Sequence, residues 1–353
     1  MIRATTNAVL KGYRANLNKS TLKLNSARNT VLSGRVFNSY AEDPATASQA
    51  FQMRRSFLRT NSQITQNQAA VCKYESGYKA LESVVGDVNN LKKSSSLSDV
   101  MEGLNDPTGG GRKALGKSMT QLADNIVETM NSKYGDTFVF AGADGLNVPF
   151  TWQENDDGSR TLLYRGLPVN AAAGSDAYKQ LEYMSAEEHK FVDIGLGIQE
   201  AGGGLVESSA FDVALQGVNF LGGFGADEEG LPNNVVAIID RAGEILNHCD
   251  ENGYFEKEGD RDELEKLLNK LNVVGTTVSE KHVELSAEAE FLKDNLDRLE
   301  DTSDNLNEQF LGLEQCDLAD AITSFAWAQY CYNAALKVGN SILSESLMDY
   351  IGG

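Results

Sequence analysis

Along the last third of the chain, apolar residues recur at alternating intervals of four and three. Leu285, Ala289, Leu292, Leu296, Leu299, Ser303, Leu306, Phe310 and Leu313 make up one such row, the a and d positions of a helix sustained over about four heptads. The positions between them are rich in Glu, Asp, Lys, Arg and Asn, and no proline follows Pro232. A stripe this narrow predicts a partner helix, from this chain or another. After Leu313 the row breaks. The next set, Leu318, Ile322, Phe325, Tyr332, Leu336 and Leu343, begins five residues on, with Gly312 at the break. Trp327, Cys331, Ala334, Ala335, Val338 and Ile342 fill other faces of the same stretch. A helix apolar all round has to be covered on every side, and in an isolated soluble chain it is an aggregation hazard. The pattern predicts a joint, with a helix that pairs inside the subunit on one side and a helix that also packs among subunits on the other.

The first third answers this pattern. Val9, Tyr13, Leu17, Ser20, Leu24, Ala27 and Val31 follow the same intervals. The Asp43-Pro44 step suits a helix start, and a second amphipathic run reaches about Lys93 through Phe51, Leu58, Ile64, Val71, Tyr78 and Leu81. A third run, from about Lys113 to Ser132, carries Leu115, Met119, Leu122, Ile126, Val127 and Met130. The expected pairings are the Leu285–Leu313 row with the segment before Lys93, and the Leu318–Leu347 stretch with residues 5–32. An ordinary helical bundle gives the same periodicity and is the plain alternative.

Between the helical ends lies a different composition. Residues 145–230 hold 14 of the 33 glycines, which marks a turn-rich substructure. Phe138–Ala141, Thr161–Tyr164, Phe191–Ile194 and Phe211–Leu215 read as short strands. Asn155, Asp156, Asp157 and Gly158 before the Thr161 run are a hairpin signal. The fold class expected is mainly α with a β-rich insertion.

A net charge of −20 argues against nucleic acid, whose phosphates need clustered Lys and Arg, and against an anionic membrane surface. No apolar signal core follows Met1, and no stretch approaches a membrane span. Cys72, Cys249, Cys316 and Cys331 form no CxxC pair, which disfavours zinc and thioredoxin-like chemistry. Cys316 and Cys331 read as lying on one helix, roughly 22 Å apart at about 1.5 Å per residue, too far to bridge. Free thiols are expected.

Gly111, Arg112, Lys113, Ala114, Leu115, Gly116, Lys117 and Ser118 fit the phosphate-binding pattern GxxxxGKS, and Val235–Asp240 resembles the apolar strand that ends in a magnesium-binding aspartate. Such a loop works only between a buried strand and a helix N-terminus. Asn105 to Gly110 is no buried strand, and Val235, Ile238, Ile239, Ala242, Ile245 and Leu246 keep a helical period. A flexible glycine loop followed by a helix is the expectation, with nucleotide hydrolysis the rival. Asp250, Asn252 and Gly253 resemble part of a calcium loop, but its first and twelfth positions are His248 and Gly259, both wrong as ligands. His189, His248 and His282 are scattered. No catalytic, cofactor or metal residues are expected.

Leu32, Ser33, Gly34, Arg35, Asn38, Ser39, Glu42, Asp43, Pro44, Ala45, Thr46 and Ala47 resemble the N-terminal signature of the flagellin and hook-associated protein family. Asp317 to Ile322, with Gln329, Ala334, Ala335, Leu336, Val338 and Gly339, resembles that family's C-terminal helix. The resemblance covers roughly residues 1–143 and 262–353 and leaves out the middle. Tyr134 to Gly142, Asp43-Pro44 and the Ser346–Tyr350 ending resemble the hook–filament junction branch, with filament flagellin as the alternative. Four cysteines depart from the family pattern, and the segment after Val88 lacks the basic pattern that immune receptors read.

The resemblance implies a structural subunit of the bacterial flagellum, extracellular and exported without a cleaved signal. It implies terminal helices paired as an elongated coiled-coil rod. Residues 1–43 and 313–353 would form the inner domain, 44–144 and 231–312 the helical rod with a β-hairpin near 137–150, and 145–230 a variable outer domain. The implied partners are the chain itself, other hook-associated proteins, flagellin, an export chaperone and the secretion apparatus.

Overall fold

The computed structural model describes residues 2–37, 41, 43–93, 110–155, 158–201, 204–206, 209–249, 254–255 and 257–351. The chain is mostly helical, with small antiparallel sheets. It divides into two compact units, residues 1–61 with 300–353, and residues 62–299. Eight helices run in chain order through the described residues: α1 Ile2–Ser33, α2 Pro44–Lys93, α3 Gly110–Met130, α4 Asp176–Ala186, α5 Gly217–Phe220, α6 Val235–Asn247, α7 Asp260–Glu314 and α8 Leu318–Ile351.

In the unit of residues 62–299, α2 and α7 run side by side. Tyr78 stacks on His282 at 4.7 Å between centroids, and Glu75 pairs with Lys293 at 2.8 Å. Leu264, Leu267, Leu271, Val274 and Val278 are buried along α7, so its seam starts about three heptads before Leu285. Leu285, Leu292 and Leu299 are buried too.

The facing seam of α2 differs from the expected one. Its buried positions are Thr60, Gln63, Asn67, Ala70, Tyr74, Gly77, Leu81, Val84, Val88 and Leu91, at intervals of three and four throughout, and the expected Val71 is buried beside them, as is Ala80. Phe51 and Leu58, read as seam residues, are instead 57% and 60% exposed. Three polar side chains at the seam have partners close by, although Asn67 Oδ1 finds none among the described residues. Asn67 Nδ2 donates to Leu292 O at 2.9 Å. Gln63 Nε2 donates to the Asp193 carboxylate at 3.0 Å. Asn295 Nδ2, from α7, donates to Ile194 O at 2.8 Å. Buried polar groups cost little once so paired.

Helices α3 and α6 cross at two glycines. A Cβ on Gly116 would lie 2.8 Å from Gly243 O, and one on Gly243 would lie 3.0 Å from Gly116 O. The glycine of the phosphate-loop pattern therefore serves helix packing. Gly111–Ser118 lies wholly within α3, which replaces the expected loop and leaves no strand–loop–helix cradle. Val235–Asp240 is helical, capped by Asn234, whose side chain accepts from Val236 N. The partial calcium pattern at Asp250–Gly253 lies outside the described residues.

The middle is less β-rich than expected. Its largest sheet is β4 Phe150–Glu154, β5 Arg160–Tyr164 and β6 Leu167–Pro168, antiparallel throughout. Arg165 and Gly166, at φ 49° and 84°, make the tight β5–β6 turn, and Glu188 holds the Arg165 guanidinium at 2.6 Å. The expected Phe138–Ala141 strand is interrupted: β1 Lys133–Tyr134 pairs with β2 Thr137–Phe138, and β3 Ala141–Gly142 pairs with β11 Leu215–Gln216. The Phe191 and Phe211 runs shorten to β7 Phe191–Val192 and β10 Phe211–Asp212, which pair with each other. The small β8–β9 hairpin is Glu200–Ala201 with Gly204–Leu205. Helix α4, capped by the Ser175 hydroxyl accepting from Tyr178 N, was not anticipated.

Candidate assembly interface

Within the unit of residues 1–61 and 300–353, α1 packs along α8. The two run antiparallel. Tyr13 meets Gly339, where an added Cβ would overlap the phenol ring, and Cys316, just before α8, has its Sγ near Thr30 O. Leu10, Tyr13, Leu17, Ser20, Leu24, Ala27 and Val31 are the half-buried row of α1. Leu10 takes the place expected for Val9, which is 52% exposed. The inward row of α8 is Ala321, Phe325, Ala328, Tyr332, Ala335, Gly339 and Ile342, at intervals of four and three. Small residues separate the rings along it, and Tyr13 of α1 fits over Gly339.

The ends of α1 and α7 meet at one level. Helix α1 ends at Ser33, with Gly34 at φ 68° in the left-handed position that follows many helices. Val36 N donates to Glu314 O (2.8 Å), Cys316 N donates to Gly34 O (3.0 Å), and Arg35 pairs with Glu314 at 3.3 Å. Asp317 caps α8 by accepting from Ala319 N at 2.8 Å. The break therefore falls at Gln315–Asp317 and not at Gly312, which remains helical. Cys316 lies in this break, off the helix that carries Cys331. Cys72, Cys316 and Cys331 are free thiols, and the buried Cys249 Sγ donates to Ile245 O at 3.8 Å.

Asp43 opens α2 as expected for a cap. Its carboxylate accepts from Ala45 N and Thr46 N, both at 3.2 Å, and from Thr46 Oγ1 at 2.6 Å. The Thr46 hydroxyl, with these amides, holds the Asp43 carboxyl below its usual range. Further along, Asn61 accepts from Ser303 Oγ at 2.9 Å, and Arg54 lies over the Phe310 ring at 5.8 Å.

The expected interface residues separate into two groups. Tyr13, Leu17, Leu24, Val31, Phe325 and Tyr332 line the α1–α8 seam, half-buried inside the chain. Val9, Leu318, Ile322 and Leu336 stand exposed. The Leu343 side chain and Asn38 lie outside the described residues. Leu296, Leu306, Phe310 and Leu313, read as intrasubunit seam, are half-buried.

The face of α8 turned away from α1 carries Trp327 and Ala334, two of the residues expected on its other faces, and adds Tyr330 to them. Thr323, Trp327, Tyr330 and Ala334 repeat at four, three and four. Trp327 and Tyr330 are 68% and 66% exposed and stack on each other at 5.8 Å. Val338 on α8 and Leu22 on α1 are exposed as well. A second heptad row, opposite the first, is the signal that marks this face. Among the described residues, no group of His, Cys, Asp and Glu could hold a metal, and no helix is long and apolar enough to cross a membrane.

No protein-family model matches the sequence, and no curated protein matches it. Among solved structures, the chain is similar to the flagellar hook-associated protein 3 of Legionella pneumophila, at 11% identity and a TM-score of 0.50, over 74% of this chain and 98% of that one. The FlgL structure from Xanthomonas campestris is 13% identical with a TM-score of 0.49, over 74% and 99%. A flagellar hook-associated protein from Vibrio parahaemolyticus is 14% identical with a TM-score of 0.47, over 77% and 99%. At 11% identity the likeness to the Legionella pneumophila protein is one of fold.

Proposed function

We propose that this chain is a structural subunit of the bacterial flagellum, a hook-associated protein that joins hook to filament and assembles through its terminal helices. The observation that carries the reading is an uncovered apolar face on α8, at Trp327, Tyr330, Val338 and Leu336, in a chain with the fold of a hook-associated protein 3. Burying exposed apolar surface at about 25 cal/mol per Å² favours association, and aromatic residues are the usual anchors.

In this reading the terminal helices form an elongated coiled-coil rod. Residues 1–43 and 313–353 make an inner domain, 44–144 and 231–312 a helical rod, and 145–230 an outward domain that tolerates change. Tyr13, Leu17, Leu24, Val31, Phe325 and Tyr332 hold the terminal pair together, and Val9, Leu318, Ile322 and Leu336 join Trp327 and Tyr330 against neighbouring subunits. The partners are further copies, other hook-associated proteins and flagellin. The subunit works outside the cell, is exported without a cleaved signal, and needs no cofactor and performs no catalysis.

Deleting the gene tests the reading. Cells that build hooks but release flagellin into the medium, and regain filaments on complementation, support it. Cells that keep stable filaments overturn it. Cells that lack filament subunits altogether identify a filament flagellin instead.

A further inference from the structure

The unit of residues 1–61 and 300–353 is electrically divided. Residues 1–61 carry ten Lys or Arg and two Asp or Glu, while residues 300–353 carry one and nine. The two halves are +8 and −8, so they cancel, and the whole net charge of −20 resides in residues 62–299. Helix α1 has six basic residues and no acidic one. Such segregation in an acidic protein points to a specific use of the charge.

Among the described side chains, no ion pair joins the basic residues of α1 to the helix beside them. Lys11, Arg14, Lys19, Lys23 and Arg28 are all exposed. In a paired-helix seam, the flanking positions supply the ion pairs that choose partners. Among the described side chains of α8 those positions are Ile322, Gln329 and Leu336 on one side and Ser324, Cys331 and Val338 on the other. None carries a charge. The complementary charge lies elsewhere in the unit. Asp304, Glu308 and Asp317 line an open hollow of about 640 Å³ at the end of α7, floored by Leu311 and Gly312. All three acids are exposed.

We propose that neighbouring copies of the chain are joined electrostatically, the basic face of α1 in one copy, at Lys11, Lys19 and Lys23, seating against the acidic hollow of Asp304, Glu308 and Asp317 in the next. The contact joins two different patches, so it is head-to-tail and propagates into a ring or a filament. Opposite charge steers the encounter and fixes the register, and apolar burial on α8 supplies the rest. The inference rests on the chain being a self-assembling subunit.

Charge exchange in the full-length chain tests it, with association followed by sedimentation velocity. K19E/K23E and D304K/E308K, each checked for an unchanged thermal midpoint as monomer, should each weaken association about tenfold or more at low salt. An equimolar mixture of the two variants should regain unmodified affinity, as should a chain carrying all four substitutions. Raising the salt to about 0.5 M, where the Debye length shrinks to a few Å, should weaken the unmodified chain. Unchanged association of the two variants overturns the inference, and so does failure of the mixture and the combined chain to recover. It is also overturned if K19E/K23E loses only binding to phosphatidylglycerol vesicles, since the occupant is then an anionic surface. Each of these results leaves the proposed function standing. If the unmodified chain does not associate at any salt, self-assembly itself fails, and the inference falls with it.

Discussion

Helices α7 and α8 follow one another in the chain and handle their apolar residues in different ways. On α7 the buried bulky residues form a single stripe, with Leu285, Leu292 and Leu299 buried against other parts of this chain and Val273, Val283 and Phe291 exposed singly outside it. On α8 the inward stripe is built from Ala321, Ala328, Ala335 and Gly339 between Phe325 and Tyr332, while Trp327 and Tyr330 point away and stay exposed. A stripe no wider than its partner is complete within one molecule. A helix with apolar residues on two opposite faces has one face to spare. Apolar content alone does not separate these cases; the number of faces it occupies does.

The largest effect should come from breaking the closed stripe. Leu292→Asp puts an unpaired carboxylate where the side chain is fully buried, and a cost of about 4 kcal/mol or more is expected. Chemical denaturation of the purified chain should lose the transition of residues 62–299. The same change at Trp327 should leave that transition in place and abolish assembly.

Trp327→Ala and Tyr330→Ala sharpen the contrast from the other side. Each should lower association by about 2–4 kcal/mol, the range of a buried aromatic anchor. Each should shift monomer stability by less than about 0.5 kcal/mol, as exposed substitutions do. Sedimentation and calorimetry on the same samples separate the two quantities.

Gly339→Ala probes the close approach of α1 and α8. The new methyl group overlaps Tyr13, and overpacking of this kind costs about 1–3 kcal/mol. Protease protection of the N-terminal segment should fall, and Tyr13→Leu in the same chain should restore part of it. No recovery would mean that the clash is not the cause.

The smallest effect is one of pH. Burial, with Lys190 nearby, lowers the Lys73 amine to about 8, while Lys73 Nζ donates to Val213 O at 2.6 Å. The unfolded chain keeps that proton to about pH 10.4. Between these values the unfolded state binds more protons, so stability rises with pH. Tyr74, raised by its own burial, opposes the trend above about pH 10. Denaturation midpoints should climb between about pH 8 and 10, by less than about 3 kcal/mol because the amine is partly solvated. Lys73→Met should remove the climb.

The α7 seam was legible because Leu recurs at the seam positions. Its partner on α2 was not, because Thr60, Gln63, Asn67 and Gly77 occupy seam positions that periodicity assigns to apolar residues. The loop at Asp193 and Ile194, which satisfies Gln63 and Asn295, is more than a hundred residues away from either in the chain. Phe51 and Leu58 supplied two false positions, while Val71 and Leu81 of the expected row are buried. The break after α7 was read from Gly312, but one glycine costs a helix only about 1 kcal/mol. The Asp317 cap is the signal that starts a new helix. In the middle, glycine spacing signalled turns correctly and said little about how short the strands between them would be. Of the interface, the seam of α8 was visible in the sequence. Which faces α1 covers could be assigned only once the two helices were placed together.

Quenching of Trp327 fluorescence tests most directly the claim that assembly covers the outer face of α8. Trp152, the other tryptophan, lies against Arg160 at 4.0 Å and can be replaced by Phe to leave a single reporter. In the monomer Trp327 should be quenched freely by acrylamide. On assembly its emission should shift to the blue and its quenching should fall severalfold. A Trp327 that remains as quenchable in the assembled state as in the monomer would contradict the account.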